Sequence, residues 1–292
     1  MDSLKKDLTK TGLIIEGGGM RGIFAAGVVD YFLDKDIVFD NVIGVSAGAC
    51  HACSYVCGQR GRAFATATDY LDRWEYCSMR SLRKTGNMFG VDFIYHKIPE
   101  ELYPIDNEAF QRRGIRFQVA VTDCETGDAA YPEVKDMFDD VDYILASGSL
   151  PFLARMVELD GRKYMDGGIA DSIPLAQSIK QGNEKNVVIL TRPRGYQKGP
   201  SRAVPLLKLK YGKYPGLVRA LKNRHKVYNE TLELLRREEA AGRAFVIAPM
   251  GDLDIGRTEK DMNCLLYTSQ RRGIRRSPSL YAGSAGGGHG QR

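Results

Sequence analysis

Three short stretches hold residues whose type and spacing could do chemistry. The first is Gly44-Val45-Ser46-Ala47-Gly48. An apolar run, 41–45, leads into it, and a small-residue, helix-compatible run, 47–56, leads out. That is the strand, sharp turn and helix of a nucleophile elbow. Serine in such a turn is strained, and side chains at Gly44 or Gly48 would collide across it. In return the hydroxyl stands clear at a helix N-terminus, where the dipole favours a developing oxyanion. The same residues also read as a tight βα turn with an N-capping serine.

The second stretch is Gly17-Gly18-Gly19-Met20-Arg21-Gly22. Gly17, Gly19 and Gly22 satisfy G-x-G-x-x-G after a strand and before a helix, with Asp36 and Asp40 near the place of a ribose-binding acid. That is the fingerprint of a dinucleotide-binding oxidoreductase. The other reading is an oxyanion hole, since consecutive glycines let bare N–H groups turn toward one point. Nucleotide binding has no use for a second Gly-rich elbow carrying a serine one β–α unit later, whereas acyl transfer needs both. Arg21 either steers a phosphate toward the loop or forms a surface ion pair.

A serine nucleophile needs a base, and histidine is the usual one. The chain has four. His51 follows Ser46 by five residues on the same helix and is expected to point away. His96 falls in an irregular connection, His225 between Arg224 and Lys226, and His289 near the end of the chain. None has an obvious partner acid. The third stretch, Asp166-Gly167-Gly168, offers a carboxylate instead. It follows a strand, and an aspartate at a strand's carboxyl end lies on the side where α/β sites assemble. A plain D-G turn is the alternative.

These residues need a scaffold. Strands are expected at 12–16, 41–45, 115–121, 162–165, 186–191 and 245–249, and helices at 23–35, 47–57, 62–74, 106–112 and 139–146. Pro174 opens a further helix capped by Asp171 or Ser172, more helix lies between 216 and 241, and 78–98 reads as irregular. Strands alternating with helices predict a three-layer α/β/α fold with a mostly parallel central sheet.

At 43% hydrophobic residues, the 292-residue chain can bury a substantial core. It has no apolar run near the roughly 20 residues of a membrane span and no apolar leader at 1–6, so a cytoplasmic protein is expected. Cys50, Cys53 and Cys57 share a helical face. With no second ligand pair they read as small buried side chains rather than a metal site, and no cofactor is expected. The net charge is +6, but residues 264–292 hold five arginines and no acid. Taking those five from 42 leaves 37 basic against 36 acidic residues, so the charge gives no argument for nucleic acid. Residues 198–226 carry nine basic residues and no acid, interleaved with leucines and tyrosines. That segment either docks on an anionic membrane or is a solvated face, with Pro205 and Pro215 interrupting a long amphipathic helix.

Taken together, the three stretches resemble the patatin-like phospholipase family over residues 12–261. Thr122-Asp123, Thr126-Gly127 and Ala146-Ser147-Gly148-Ser149-Leu150-Pro151 support this, and residues 188–196 resemble its bacterial branch. The resemblance implies a Ser–Asp dyad with no histidine. Ser46 would attack an acyl carbonyl, Asp166 would serve as general base and acid, and N–H groups of Gly17, Gly18, Gly19 and Ala47 would hold the oxyanion. The substrate would be a lipid or phospholipid ester, with no metal. A catalytically silent patatin-like binding protein is the further alternative.

The expected organisation is a 1–263 catalytic domain, helical over about 198–241, followed by a tail. In the bacterial branch residues like 256–261 lead into a closing helix. Here Cys264-Leu265-Leu266-Tyr267-Thr268-Ser269 follows instead, equal to one reading frame of a transposon end used in sequencing-library preparation. Residues 264–292 are therefore expected to be non-native and disordered, with a natural basic tail as the alternative.

Overall fold

The computed structural model describes residues 8, 10–256, 258–261, 265 and 268. Its strands are β1 (Thr11–Ile15), β2 (Asn41–Val45), β3 (Arg116–Asp123), β4 (Ala129–Ala130), β5 (Glu133–Val134), β6 (Val157–Leu159), β7 (Arg162–Asp166), β8 (Lys185–Ile189) and β9 (Ala244–Ile247). They form one sheet in the order β6-β7-β3-β2-β1-β8-β9, with the short β4 and β5 also on β3. Strands β3, β2, β1, β8 and β9 run parallel, while β7 and β6 form an antiparallel edge.

The helices are α1 (Ile23–Asp34), α2 (Ala47–Val56), α3 (Arg62–Thr68), α4 (Met79–Thr85), α5 (Asn107–Arg113), α6 (Val141–Gly148), α7 (Leu175–Lys180), α8 (Val204–Tyr211) and α9 (Pro215–Ala240). Side chains of a strand alternate between faces, and that alternation sorts the core into layers. Leu13 and Ile15 of β1 join Ile23, Phe24 and Val28 of α1 and Ala52 and Val56 of α2. Ile14 between them packs on the other face with Leu175 of α7 and Tyr228, Leu232 and Leu235 of α9. Helices thus cover both faces, as a mostly parallel sheet requires.

A third apolar cluster joins Leu207 and Tyr211 of α8 and Leu217 and Leu221 of α9 to Met165 and Ile169, on either side of the Asp166 turn. The turn at 125–127 and the start of α9 approach closely enough to need glycine on both sides. A Cβ at Gly127 would lie 2.2 Å from the Gly216 carbonyl oxygen, and one at Gly216 would lie 2.1 Å from that of Glu125.

Several expectations need correcting. Helix α3 stops at Thr68, where the Thr68 hydroxyl bonds back to the Phe64 carbonyl, instead of reaching 74. The supposedly irregular 78–98 contains α4, capped by Ser78 accepting from the Ser81 N–H, and most of a π-helix, Asp92–Leu102. Pro205 and Pro215, by contrast, keep 198–226 from forming one long helix as expected, and stand in the first turns of α8 and α9, which have no use for the missing N–H. Helix α7 has no side-chain cap. Asp171 instead accepts from the Ile173 N–H and the Tyr131 hydroxyl, and Ser172 donates to the Gly168 carbonyl.

Of residues 264–292 only Leu265 and Thr268 are described. Both are helical and buried, not without structure at those positions. The Leu265 N–H donates to the Asp261 carbonyl at 3.1 Å, and its apolar side chain joins the core of the α1 face. The rest of the expected tail, with His289, lies outside the described residues.

Candidate active site

Ser46 stands between β2 and α2 at φ 55°, ψ −126°, a left-handed backbone that a non-glycine residue adopts only under constraint. The constraints are visible. A Cβ at Gly44 would lie 2.5 Å from Ala49 Cα, and one at Gly48 would lie 2.3 Å from the Ile15 carbonyl oxygen, so strand and helix meet closer than any side chain permits. The Ser46 N–H donates to Ser147 Oγ at 2.9 Å, and that hydroxyl donates to the Ala120 carbonyl at 2.7 Å. Ser147 of α6 therefore ties the elbow to β3. The Ser46 side chain does not cap α2, which removes the N-cap reading.

Asp166 reaches the same place by a route the sequence hid. It ends β7, which runs antiparallel to β3, so the rule for carboxyl ends of parallel strands does not place it. Register does. Val45 pairs with Ala120, which sets Ser46 level with Val121, and Val121 pairs with Asp166. Serine and aspartate thus flank one residue of β3. The Asp166 N–H donates to the Ser149 carbonyl at 2.9 Å, and its own carbonyl accepts from the Thr122 hydroxyl at 2.8 Å. Its Oδ1 accepts from the Gly168 N–H at 2.8 Å. Asp166 is almost wholly buried, and the turn after it crosses β3 so tightly that a Cβ at Gly167 would meet the Ala120 carbonyl.

The glycine loop after β1 lies against the elbow, for a Cβ at Gly17 would sit 2.7 Å from Ser46 Cβ. Thr191, just past β8, donates its hydroxyl to the Gly17 carbonyl at 2.8 Å. In a trans peptide this sets the Gly18 N–H on the edge facing away from Thr191. Glu16 anchors Thr191 in turn, its carboxylate accepting from the Thr191 N–H at 2.6 Å and from the Tyr228 hydroxyl of α9 at 2.8 Å. Burial pushes the Glu16 pKa up, opposed by those hydrogen bonds and by the charge of Lys198. Gly19 turns the loop at φ 58° into a short 3-10 turn, Gly19–Gly22, and Ala47 opens α2 beside it. Arg21 is half-buried, with Nη1 3.4 Å from the Ile255 carbonyl. Sequence reasoning gave no positioning role to Ser147, Thr191, Glu16 or Tyr228: Ser147 and Thr191 fall in stretches that carried the family resemblance without a role attached, and Glu16 and Tyr228 in none.

Two cavities meet at Ser46. One is apolar, walled by Ile23 of α1, Ile94 and Ile98 of the π-helix, Ile105, and Val141 and Ile144 of α6. The other is polar and is lined by Gly17–Gly19, Ser46 and Asp166 together with Arg21, Arg192, Lys198 and Arg224. His51 is among the residues that line the apolar cavity, with Nε2 2.9 Å from where a Cβ of Gly22 would stand. Burial holds its pKa down to about 4, and a hydrogen bond with the Ala63 backbone opposes that only in part. The ring is therefore neutral at pH 7. His96 faces Glu100 at 3.3 Å, and the His225 ring lies 3.1 Å from the Lys222 carbonyl. Burial raises the thiol pKa of Cys50, Cys53 and Cys57, which lie on α2 and at its C-terminal end, Cys53 and Cys57 buried and Cys50 half-buried.

A strained serine after the second strand, a glycine loop after the first and an aspartate on the far side of the third define a class of three-layer α/β proteins. Residues 13–179, more than half of the chain, match the family described as patatin-like phospholipase, and the chain belongs to that family. Residues 214–268 match a domain of unknown function, DUF6363. The uncharacterized protein YjjU of Escherichia coli strain K12 is 33% identical over 189 residues, 62% of this chain and 52% of that protein. The chain thus spans about half the length of that relative. A probable lipid hydrolase, 463L of Invertebrate iridescent virus 6, is 22% identical over 204 residues, 63% of this chain and 68% of that protein. Among solved structures, VipD from Legionella pneumophila aligns at a TM-score of 0.42 and 12% identity, over 88% of this chain and 64% of that one. Among the described residues no helix is long and apolar enough to cross a membrane.

Proposed function

We propose that the protein is a serine acyl-ester hydrolase that releases a fatty acid from a lipid ester through a Ser46–Asp166 dyad. The observation that carries this reading is the junction at Ser46, where an apolar cavity suited to an acyl chain opens onto a polar cavity shared with Asp166 and the glycine loop. Ser46 Oγ attacks the acyl carbonyl carbon while its proton passes to Asp166. The oxyanion is held by N–H groups of the Gly17–Gly19 loop and of Ala47, whose α2 dipole points the same way. The tetrahedral intermediate then expels the alcohol, which takes the proton from Asp166. Water attacks the acyl-serine and gives a proton to Asp166. Collapse of that second intermediate frees the fatty acid and returns the proton to Ser46. A carboxylate is an adequate base here only if its surroundings hold its proton affinity above the ordinary aspartate pKa of about 3.9.

An alkyl fluorophosphonate probe tests the nucleophile. Wild-type protein is expected to become labelled at Ser46, and Ser46→Ala protein is not. Labelling that persists in Ser46→Ala would move the chemistry elsewhere, and no labelling of wild type would favour a silent binding protein.

The lipid half of the reading extends to the surface. Helix α8 buries Leu207 and Tyr211 but leaves Leu206 55% and Leu209 84% exposed beside Lys208 and Lys210. Phe152 packs on Tyr211, two residues from Leu150, which lines both cavities. This exposed face, with its leucines and lysines interleaved, fits an anionic membrane. Co-sedimentation is expected with anionic vesicles and to weaken with salt. Equal binding to neutral vesicles, insensitive to salt, would contradict docking.

A further inference from the structure

The apolar cavity contains a charge. Arg62, the first residue of α3, lines it and is only 9% exposed. Among the described residues of that lining there is no aspartate or glutamate, and His51 is neutral at pH 7. Its partners are two neutral oxygens. Nε donates to the Tyr103 carbonyl at 2.9 Å, and Nη1 donates to Ser54 Oγ at 3.3 Å. Among the described residues no carboxylate pairs with Arg62, and Nη2 makes no hydrogen bond.

That arrangement is costly. Burial pushes the Arg62 pKa down, because a charge taken out of water loses its hydration. A guanidinium keeps its proton all the same. The negative end of the α2 dipole, near Ser54, offsets part of the cost. Buried charges are ordinarily paired with an opposite charge, and this one is not.

Its position supplies a use. Ser54 follows Ser46 along α2 by eight residues, which at about 1.5 Å per residue is roughly 12 Å. Cys50, His51 and Cys53 line the cavity between those levels. The cavity thus follows α2 from the nucleophile toward the guanidinium. An acyl chain whose carbonyl stands at Ser46 sends its far end to Arg62. An extended chain advances roughly 1.2 Å per bond, so about ten bonds cover the interval. A terminal methyl gains nothing from a cation there. A carboxylate gains a charge-assisted bond to a planar fork at low dielectric.

We propose that Arg62 receives a carboxylate at the far end of the acyl chain, so that the enzyme selects acyl groups of dicarboxylic acids over plain fatty acyl groups of the same length. This rests on the hydrolase reading and adds to it the chemistry of the acyl half.

The test compares 4-nitrophenyl decanoate with the 4-nitrophenyl monoester of decanedioic acid, which differ only in a terminal methyl against a terminal carboxylate. Wild type is expected to favour the carboxylate-ended ester by at least about tenfold in kcat/KM, and Arg62→Gln to lose most of that ratio through KM. Arg62→Lys keeps the charge without the fork and is expected to fall between the two. No preference in wild type, a ratio unchanged in Arg62→Gln, or an equal loss on both esters would overturn the proposal. Chain length supplies an arm that needs no variant. In wild type the preference is expected to vanish for the butanedioic half-ester against butanoate, since that chain is too short to reach Arg62. An equal preference at both lengths would place the anion among the cations of the polar cavity and would overturn the assignment. Calorimetry on Ser46→Ala protein with monomethyl decanedioate needs no turnover. Binding that the further change Arg62→Gln abolishes supports the carboxylate site even if the hydrolase reading fails. Decanoate ion binding as tightly as the monomethyl ester would make Arg62 a site for a free fatty acid seated head-first, and would overturn the substrate assignment. Turnover of nitrophenyl decanoate, lost in Ser46→Ala, reports on the hydrolase reading separately.

Discussion

Thr191 shows how a residue with no chemistry of its own can govern the site. Its hydroxyl fixes the Gly17 carbonyl and so the direction of the next N–H, while its own N–H is fixed by Glu16. Thr191→Val keeps the shape and removes that donor. We expect kcat to fall about tenfold, the equivalent of roughly 1.4 kcal/mol of transition-state stabilisation, with KM little changed and with Thr191→Ser restoring the rate. A fall in KM effects alone, or no rescue by serine, would show that the hydroxyl does not orient the loop. His51 carries a different prediction. Burial holds its pKa near 4, against about 6.5 for an exposed ring. The unfolded chain therefore takes up a proton between those values that the folded chain refuses. Stability is expected to decline as pH drops from about 6.5 toward 4, by up to about 3 kcal/mol. Chemical denaturation of His51→Gln protein over that range should give a flatter slope, and an unchanged slope would assign the acid sensitivity to other groups.

At the scale of elements, the motifs were legible because each demands a backbone that few residues supply. Gly44, Gly48 and Gly17 mark close approaches, and their order along the chain gave the elbow and the loop before any geometry. The direction of β7 was not legible. A five-residue strand ending in Asp-Gly-Gly reads the same whether its neighbour runs with it or against it, and only the pairing of Val121 with Asp166 settles where the carboxylate falls. The positioning side chains were hidden for a related reason. Glu16 and Tyr228 are 212 residues apart, and no local pattern links a strand-end acid to a tyrosine in the middle of α9. The prolines were legible, since Pro205 and Pro215 fall in first turns and divide 198–226 between α8 and α9, where in a helix interior they would have broken it. The π-helix Asp92–Leu102 has no strong sequence signature, although it walls the apolar cavity.

On the scale of the whole molecule, the catalytic half and the C-terminal helices are one packed body. Helices α8 and α9 cover Met165 and Ile169 on either side of Asp166, and α9 supplies Arg224 to the polar cavity and the Tyr228 hydroxyl to Glu16. The chain end is the part still to be divided between protein and appendage. We propose that its far portion contributes nothing, while Leu265 belongs to the core. Deleting 270–292 is expected to leave turnover and melting temperature unchanged. Leu265→Ala in the full chain is expected to cost about 2–5 kcal/mol, the range for a buried leucine truncation. Thermal melts of the two proteins check both statements, and a stable Leu265→Ala would place that residue outside the working core.

The central claim is that Ser46 and Asp166 act as a pair without a histidine. Steady-state hydrolysis of a nitrophenyl ester by Asp166→Asn protein, with circular dichroism to confirm that it is folded, tests that claim most directly. The account predicts a loss of at least about a thousandfold in kcat, comparable to that of Ser46→Ala, while His51→Gln stays within tenfold of wild type. Asp166→Asn protein that turns over at near the wild-type rate would contradict it.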